Sequence, residues 1–551
     1  MRRALSILAI IALAMATLVT PALSSPAFAK DDKPKAPKEF GDDWDNPRTA
    51  VAPIVKPDTV SCDVTIVDHT FDDFEPATGT YQPPKKCDGD WSKVVLRMEG
   101  AVAGRQFDRM GQLNIGDVPV FKTSTPEPSP DGITWTQEKD VTAYASLLRH
   151  KQSTSMTLGN AVDDTYTGVF DVTISLTFYG TDAKNPATHA ADTVLPLGHP
   201  DTSGADLKGD ITVPRNSMRL LADVYATGSG GGCEEFWYLA APKKSGYSCA
   251  ADDGPRREVQ VLVDGELVGI AQPYPHVYTG GWSNPYLWTT LPAPGAFDIR
   301  PISYDLTPYL GLLNDGKAHK VTVHVTGVPD GTDGWSTPTG FRVWRDAGSK
   351  VVKGGVLSSS TTKARNKITT ADGEVRFTSS HRHSATGWLT TSKGSLVSTV
   401  ERSVSATGTH SWGADENPDG IDANWSDVES RSALTNGALS SSTITREYSM
   451  KGKTAVADGR LKTTMKMRDA VDVSTTDANG RTRDSSSSDA YSGVASYLVD
   501  VPRRERHATA HTRERVRSSG GHDCHDHTVT TDNGYVTAES DKCGILKPRS
   551  S

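Results

Sequence analysis

The clearest periodicity in the chain runs from Gly168 to Tyr179, where Phe170, Val172, Ile174, Leu176 and Phe178 alternate with Asp171, Thr173, Ser175 and Thr177. A period of two with one polar face predicts a half-buried antiparallel strand. The same grammar returns further on. Val259, Val261 and Val263 lead into Asp264-Gly265 and out through Leu267 to Ile270, which predicts a hairpin. Val321, Val323 and Val325 alternate with Lys320, Thr322, His324 and Thr326. Helical repeats are scarce, apart from a short turn from Tyr144 to Leu148 that Asp140 is placed to cap. Strands at this spacing, with turns and no helical interludes between them, predict two β-sandwiches in an all-β chain.

The breaks between these runs set the expected organisation. Residues 30–57 are rich in Lys, Asp and Pro without periodicity and read as a linker or an N-terminal strap. Residues 58–185 make the first sandwich, and the stretch 181–206, with Pro186, Pro196 and Pro200, reads as a loop-like junction. Residues 206–354 make the second. After Gly354 the composition shifts to Ser, Thr, Arg and Asp, including Asp484-Ser485-Ser486-Ser487-Ser488-Asp489, and the alternation weakens. The segment 355–551 is therefore expected to be a C-terminal β-rich module. At the other end, Arg2-Arg3, an apolar run from Leu5 to Val19 and Ala27-Phe28-Ala29 form a signal-peptide pattern over 1–29. The apolar run is too short for a membrane anchor, so the chain is expected to be secreted and extracellular.

Composition narrows the function classes. At roughly 150 residues per domain, 551 residues imply three or four domains. The balance of 59 Lys+Arg against 67 Asp+Glu, net −8, provides no basic stripe and argues against nucleic-acid binding. The six cysteines fall in neighbouring pairs, Cys62/Cys87, Cys233/Cys249 and Cys524/Cys543. In an oxidising compartment they are expected to pair locally, although 15 connectivities are possible. Each such loop contributes about 3 kcal/mol in the chain-entropy picture.

No Ser nucleophile elbow, P-loop, dinucleotide loop or His-Glu-x-x-His stands in the chain. Acidic residues in Gly- and aromatic-rich segments stand out instead and point to carboxylate acid–base chemistry. In Gly104-Arg105-Gln106-Phe107-Asp108-Arg109, Asp108 either activates a water, with its pKa depressed by Arg109, or merely pairs with that Arg to stitch a loop. Glu127 sits on the rigid Thr125-Pro126-Glu127-Pro128 turn, and on its own reads as solvated. In Cys233-Glu234-Glu235-Phe236-Trp237-Tyr238 a strand would send the two carboxylates to opposite faces, so one alone serves a given site. The alternative is an edge strand protected by charge. Trp237, Trp282 and Trp288, the last two in the Gly-rich 279–288 segment, suit stacking on sugar faces or packing under a loop. His522-Asp523-Cys524-His525-Asp526-His527 resembles a metal cluster, but its spacing fits no standard zinc template and Cys524 is better used in a disulfide. No metal or cofactor is expected.

These segments carry a family resemblance. Gly104-Arg105-Gln106-Phe107-Asp108-Arg109, Ser124-Thr125-Pro126-Glu127-Pro128, Gly132-Ile133-Thr134-Trp135, Glu235-Phe236-Trp237-Tyr238, Arg257-Glu258-Val259, Thr279-Gly280-Gly281, Asn284-Pro285 and Asp305-Leu306-Thr307-Pro308 follow in one order. Over roughly 260 residues the run from Trp91 to Trp344 resembles the acidic, plant-type peptide-N4-(N-acetyl-β-glucosaminyl)asparagine amidases. A weaker similarity reaches the smaller F-type N-glycanases, which are two side-by-side jelly rolls. The resemblance implies two adjacent jelly-roll sandwiches with the site in the cleft between them. It also implies hydrolysis of the glycan–asparagine amide of N-glycosylated peptides or glycoproteins. It places the catalytic carboxylate on Asp108 and the second acid, which contacts the glycan, on Glu235. A third family acid falls near Asn160 or Asp163. Arg109, Glu127, Trp237, Trp282 and Trp288 complete the expected substrate-binding set. Two rival functions remain: an endoglycosidase with two carboxylates at C1, and a non-catalytic, lectin-like glycan-binding protein.

Overall fold

Alternating apolar residues become buried strand faces. The computed structural model describes residues 36–543 apart from 283, 333, 521 and 522, so the expected signal peptide at 1–29 lies outside the described residues. The strand Phe170–Gly180 buries Phe170, Val172, Ile174, Leu176 and Phe178 and turns Asp171 to solvent. With it, the first region contains β1 (Ser61–Phe71), β2 (Ala77–Tyr81), β3 (Trp91–Val102), β4 (Met110–Ile115), β5 (Val118–Ser124), β6 (Ile133–Asp140), β7 (Gln152–Thr157) and β8 (Phe170–Gly180). They form two four-stranded antiparallel sheets, ordered β1-β8-β3-β6 and β2-β7-β4-β5. Trp91, Phe121, Trp135, Phe170 and Phe178 fill the space between the sheets. Asp140 Oδ1 accepts the Thr142 amide at 2.9 Å, holding the short 3-10 turn Thr142–Tyr144.

The second region contains β9 (Thr193–Pro196), β10 (Gly198–Ser203), β11 (Asp206–Thr212), β12 (Ser217–Val224), β13 (Thr227–Gly228), β14 (Glu258–Val263), β15 (Glu266–Ala271), β16 (Ile302–Asp305), β17 (Ala318–Thr326), β18 (Trp335–Ser336) and β19 (Thr339–Arg345). A five-stranded sheet, β10-β11-β17-β14-β15, faces a four-stranded one, β16-β12-β19-β9, and β13 and β18 form a small ribbon. The β14–β15 hairpin turns on Asp264 and Gly265, both at positive φ. The stretch 181–206 is not the plain loop its prolines imply. Val194 and Leu197 are buried, and β9 adds an edge strand beside β19, a position where Pro196 costs no interior ladder bond.

Residues 353–541 form one eleven-stranded antiparallel sheet with strands as long as the 20-residue Ala438–Ala457. It is no appendage. Its apolar face, with Phe377, Trp425, Met450, Met465 and Tyr491, shares one continuous core with the second sandwich. Residues 36–57 act as a strap across all three parts. The Asn46 side chain accepts the Thr134 amide at 2.8 Å, the Arg48 amide donates to Thr290 O at 2.9 Å, and the Phe40 amide donates to Ala508 O at 2.7 Å.

The three disulfides join Cys62 to Cys87, Cys233 to Cys249 and Cys524 to Cys543. Around the last, His525 Nε2 bonds Ala50 O at 2.8 Å and Asp526 pairs with Arg515, so these two are engaged in structure, while His522 of the same run lies outside the described residues. No helix among the described residues is long and apolar enough to cross a membrane.

Candidate active site

Asp108 stands on the loop between β3 and β4, and its neighbours fix it. Gln106 is buried and donates through Nε2 to Ala161 O (2.9 Å) and Gly168 O (3.0 Å), while its Oε1 accepts the Phe107 amide and Arg109 Nη2. On the far side, Arg109 and Thr125 exchange two bonds, Arg109 N to Thr125 Oγ1 and Thr125 N to Arg109 O, each 2.9 Å. The carboxylate between these clamps faces the second sandwich, where the Gly280 amide donates to it.

Gly280 is where the carboxylates converge. A Cβ there would lie 2.6 Å from Glu127 Oε1 and 2.8 Å from Asp108 Oδ1, so only glycine lets the 279–281 loop lie against both acids. Thr279 Oγ1 donates to Thr125 O at 2.6 Å and pins this loop to the Glu127 turn. Glu127 is thus no isolated solvated acid, as its sequence context implies, but half-buried beside Asp108. Desolvation raises the Asp108 pKa to about 7, with the Glu235 charge adding to the rise. Burial and then the charge of Asp108 push Glu127 to about 8, against the pull of Arg503 and Arg109. Arg109 does pull the Asp108 pKa down, as expected, but desolvation and the Glu235 charge outweigh it, so there is no net depression. The Arg109 guanidinium turns to Asn160 Oδ1 (3.1 Å), Gln106 Oε1 and the Asp108 backbone carbonyl, so it holds the loop rather than the carboxylate.

Glu235 approaches from the second sandwich. The 233–236 segment is a turn entering the 3-10 helix Trp237–Leu239, not an edge strand. The turn still sends its two acids opposite ways. Glu234 is buried, bidentate with Arg257 (2.8 and 2.6 Å), and accepts Trp335 Nε1 at 2.6 Å. Glu235 faces the cleft, accepts the Gly231 amide at 2.6 Å, and has its pKa raised by burial. Behind this turn Lys122 of β5 reaches across to Thr227 Oγ1 (2.8 Å) and Ser336 Oγ (2.9 Å) on the β13–β18 ribbon, its own pKa lowered by burial to about 7.

The three expected stacking indoles are not available to a sugar. Trp237, Trp282 and Trp288 are 2%, 3% and 1% exposed. Trp237 packs against Trp335 and Trp425, Trp282 lies on Gly452, and Trp288 sits against Tyr491 with Nε1 bonded to Gly281 O at 2.8 Å. All three hold the C-terminal sheet under the site. The aromatic surface beside Asp108 is instead Phe107, 48% exposed, with the Tyr166 ring 5.0 Å away. Phe107 belongs to the motif that marked Asp108, whereas nothing in the sequence ties Tyr166 to it. Of the two candidates for a third acid position, Asn160 is the buried partner of Arg109. Asp163 is an exposed turn residue capping the Thr165 and Tyr166 amides.

Two sandwiches therefore bring Asp108, Glu127 and Glu235 to one cleft, a set fit for acid–base chemistry with no metal in the donor pattern among the described residues. Residues 50–358 match the family described as peptide N-acetyl-beta-D-glucosaminyl asparaginase amidase A. The chain is 32% identical over 381 residues to peptide-N4-(N-acetyl-beta-glucosaminyl)asparagine amidase A from Prunus dulcis, a match covering 63% of this chain and 66% of that protein, just under two thirds of its length. A solved peptide-N(4)-(N-acetyl-β-D-glucosaminyl) asparagine amidase is similar at 15% identity with a TM-score of 0.32, over 52% of this chain and 96% of that one. Since the family pattern spans more than half of the sequence and contains every carboxylate of the cleft, the chain belongs to the peptide N-acetyl-β-D-glucosaminyl asparaginase amidase A family.

Proposed function

We propose that the protein hydrolyses the side-chain amide joining an N-glycan to asparagine, leaving a peptide with Asp and releasing the glycan as a glycosylamine. The observation that carries this reading is the meeting of Asp108 and Glu127 over Gly280, two carboxyls whose raised pKa values lie about one unit apart. Such a pair holds one proton near neutrality and is best described by two macroscopic values. Asp108 accepts a proton from water as the water oxygen bonds to the amide carbon. Protonated Glu127 donates to the nitrogen as the C–N bond breaks, and the proton on Asp108 then passes back to Glu127. A neutral carboxylic acid in such a site also stabilises the developing oxyanion by hydrogen bonding. Glu235, fixed by the Gly231 amide, hydrogen-bonds a GlcNAc hydroxyl, while Phe107 and Tyr166 give its ring an apolar face. Three disulfides support an oxidising, extracellular setting.

Mass spectrometry of a defined N-glycopeptide tests the reading directly. Conversion of Asn to Asp with no sugar left supports it, whereas a GlcNAc left on Asn would make the protein an endoglycosidase and binding without turnover would make it a lectin. Asp108→Asn is expected to lower kcat by about 10²–10⁴-fold while the protein stays folded, since general-base help is of that size. The kcat/KM profile should be a narrow bell with its acid limb near 7 and its alkaline limb near 8. A flat profile between pH 5 and 9 would remove both carboxyls from the chemistry.

A further inference from the structure

Away from the carboxylates, a groove of about 510 Å³ opens where the second sandwich meets the C-terminal sheet. Arg219 lies near the start of β12, and the β13 ribbon leading to Glu235 lies beyond its end. At the rise of a strand the two places are about 25 Å apart, so the groove is not part of the catalytic cleft.

Its floor is a single register row across four strands, Arg431, Ser442, Thr475 and Arg483, each directly opposite the next. At the usual spacing of neighbouring strands, Arg431 and Arg483 stand about 14 Å apart. Arg219 forms the facing wall with its guanidinium over Trp344 at 4.7 Å, and Lys393 and Arg481 close the rim. Arg431 is compensated by Glu429 at 2.8 Å and Asp305 at 3.9 Å. Asp477, at the far rim, spends its carboxylate on the turn amides of Asn479 and Arg481. Among the described residues Arg219, Lys393, Arg481 and Arg483 form no ion pair within contact distance; Asp305 acts on Arg219 from further off, and with five cations against Asp305 and Asp477 the groove is a positive patch on a chain whose net charge is −8.

We propose that this groove is a binding site for acidic saccharides bearing sulfate or carboxylate groups. Guanidinium forks bind such anions bidentately, and Thr435, Ser440, Ser442 and Thr475 supply hydroxyls that exchange hydrogen bonds with sugar hydroxyls. The spacing of the cations is too long for one sulfate or phosphate to bridge and fits a chain carrying several anionic groups. The groove floor is built on interior strands of the C-terminal sheet, which offer no free edge to take up a peptide by strand addition. It also lacks the exposed aromatic platforms that single-stranded nucleic acid requires. Met218, Leu396 and Ala433 leave an apolar strip for the C–H faces of sugar rings.

Isothermal titration calorimetry of the full chain tests this with four probes: a heparin-derived tetrasaccharide, neutral chitotetraose, a short poly-glutamate peptide and inorganic sulfate. The sulfated tetrasaccharide should bind, more weakly as salt rises, and chitotetraose should not. In Arg219→Ala/Arg483→Ala the affinity should fall about tenfold or more, since hydrogen bonds to charged groups of this kind are worth about 1.5–3 kcal/mol. Its melting temperature and its activity on a neutral N-glycopeptide should match the wild type. Arg483→Glu alone, at an exposed position, should weaken binding in the same direction. The proposal is overturned if the wild type ignores the tetrasaccharide, if both variants bind it unchanged, or if inorganic sulfate or poly-glutamate binds as well as the saccharide. None of these outcomes depends on the amidase reading.

Discussion

The two sandwiches are built from the same strand grammar but close their cores differently. The first encloses a core of its own, built from Trp91, Phe121, Phe170 and Phe178 and their neighbours in that sandwich, with Trp44 of the strap and Val194 of β9 at its margin. The second leaves one side open, and the C-terminal sheet completes it. Trp237 meets Trp425, Trp282 meets Gly452, and Leu287 lies on Gly493 with its carbonyl accepting Tyr491 Oη at 2.6 Å. The difference assigns the C-terminal sheet a purpose that its weak alternation hides. It supports, from below, the same 279–288 loop whose Gly280 brings Asp108 and Glu127 together. A cleft formed by two domains thus depends mechanically on a third.

The largest effect should come from removing that third part. A chain ending at residue 352 exposes Trp237, Trp282, Leu287 and Trp288 together, an apolar surface well beyond what soluble monomers tolerate. No soluble, active protein is expected, as read by fractionation of the expressed chain. A soluble truncated form with wild-type turnover would show that the second sandwich closes by itself.

A single side chain draws the contrast more finely. Trp425→Ala opens a cavity on the C-terminal side of the shared core and should cost about 3–5 kcal/mol, as should Phe170→Ala in the first sandwich. Their effects on catalysis should diverge. At a temperature where both variants are folded, Trp425→Ala loosens Trp237 and the Glu235 turn and should raise KM, whereas Phe170→Ala should leave KM unchanged. Equal KM values would sever the link from sheet to site.

Legibility follows the same division. Val259, Val261 and Val263, or Phe170 to Phe178, announce their strands because their buried positions hold only apolar residues. In the C-terminal sheet the inward positions near the second sandwich hold Arg402, Asp427 and His381, satisfied by partners distant in sequence. Arg402 pairs with Asp427 through two bonds of 2.7 Å and donates to Ser303 O, and His381 bonds Glu258 at 2.9 Å. Apolar periodicity cannot register an interface of this kind, so the module reads as β-rich with poor contrast. The site divides likewise. Asp108 and Glu235 lie in compact motifs, while the role of Glu127 depends on Gly280, more than 150 residues away, through a contact no local pattern encodes. The tryptophans suit a sugar face as well as a core in the sequence, because the sheet that buries them does not show there as their partner.

Acid–base behaviour offers a further test of the shared core. Asp489 and Glu514 lie side by side in the C-terminal sheet, with Glu514 also accepting the Ala50 amide of the strap at 2.7 Å. Burial above all pushes Asp489 to about 7 and Glu514 well above its usual range; the Asp489 charge raises Glu514 further, whereas the hydrogen bond between them lowers Asp489. Asp469 repels Asp489 further, and Arg300 offsets part of this. Because both folded values are raised, the stability they contribute is complete below the unfolded value of about 4 and is lost as pH climbs through 7. The melting temperature should therefore fall from pH 5 to pH 9. Asp489→Asn/Glu514→Gln should flatten the fall in part, the remainder belonging to Asp108 and Glu127, which carry the same sign. An unchanged slope in that variant would mean the pair is not the source.

The smallest expected effect isolates one contact across the boundary. Tyr491→Phe removes only the hydroxyl that bonds Leu287 O, with the ring still packed against Trp288. A lost neutral hydrogen bond of this type costs about 1 kcal/mol, more if the carbonyl is left dry. Stability alone would make it an ordinary core substitution. Its value lies in where Leu287 sits, six residues beyond Gly281 on the loop that touches both carboxyls. If the sheet positions that loop, Tyr491→Phe should lower kcat and shift the limbs of the pH–rate bell, because Asp108 and Glu127 would no longer be held at the same distance. If the sheet merely covers the second sandwich, the melting temperature will drop slightly and the bell will not move.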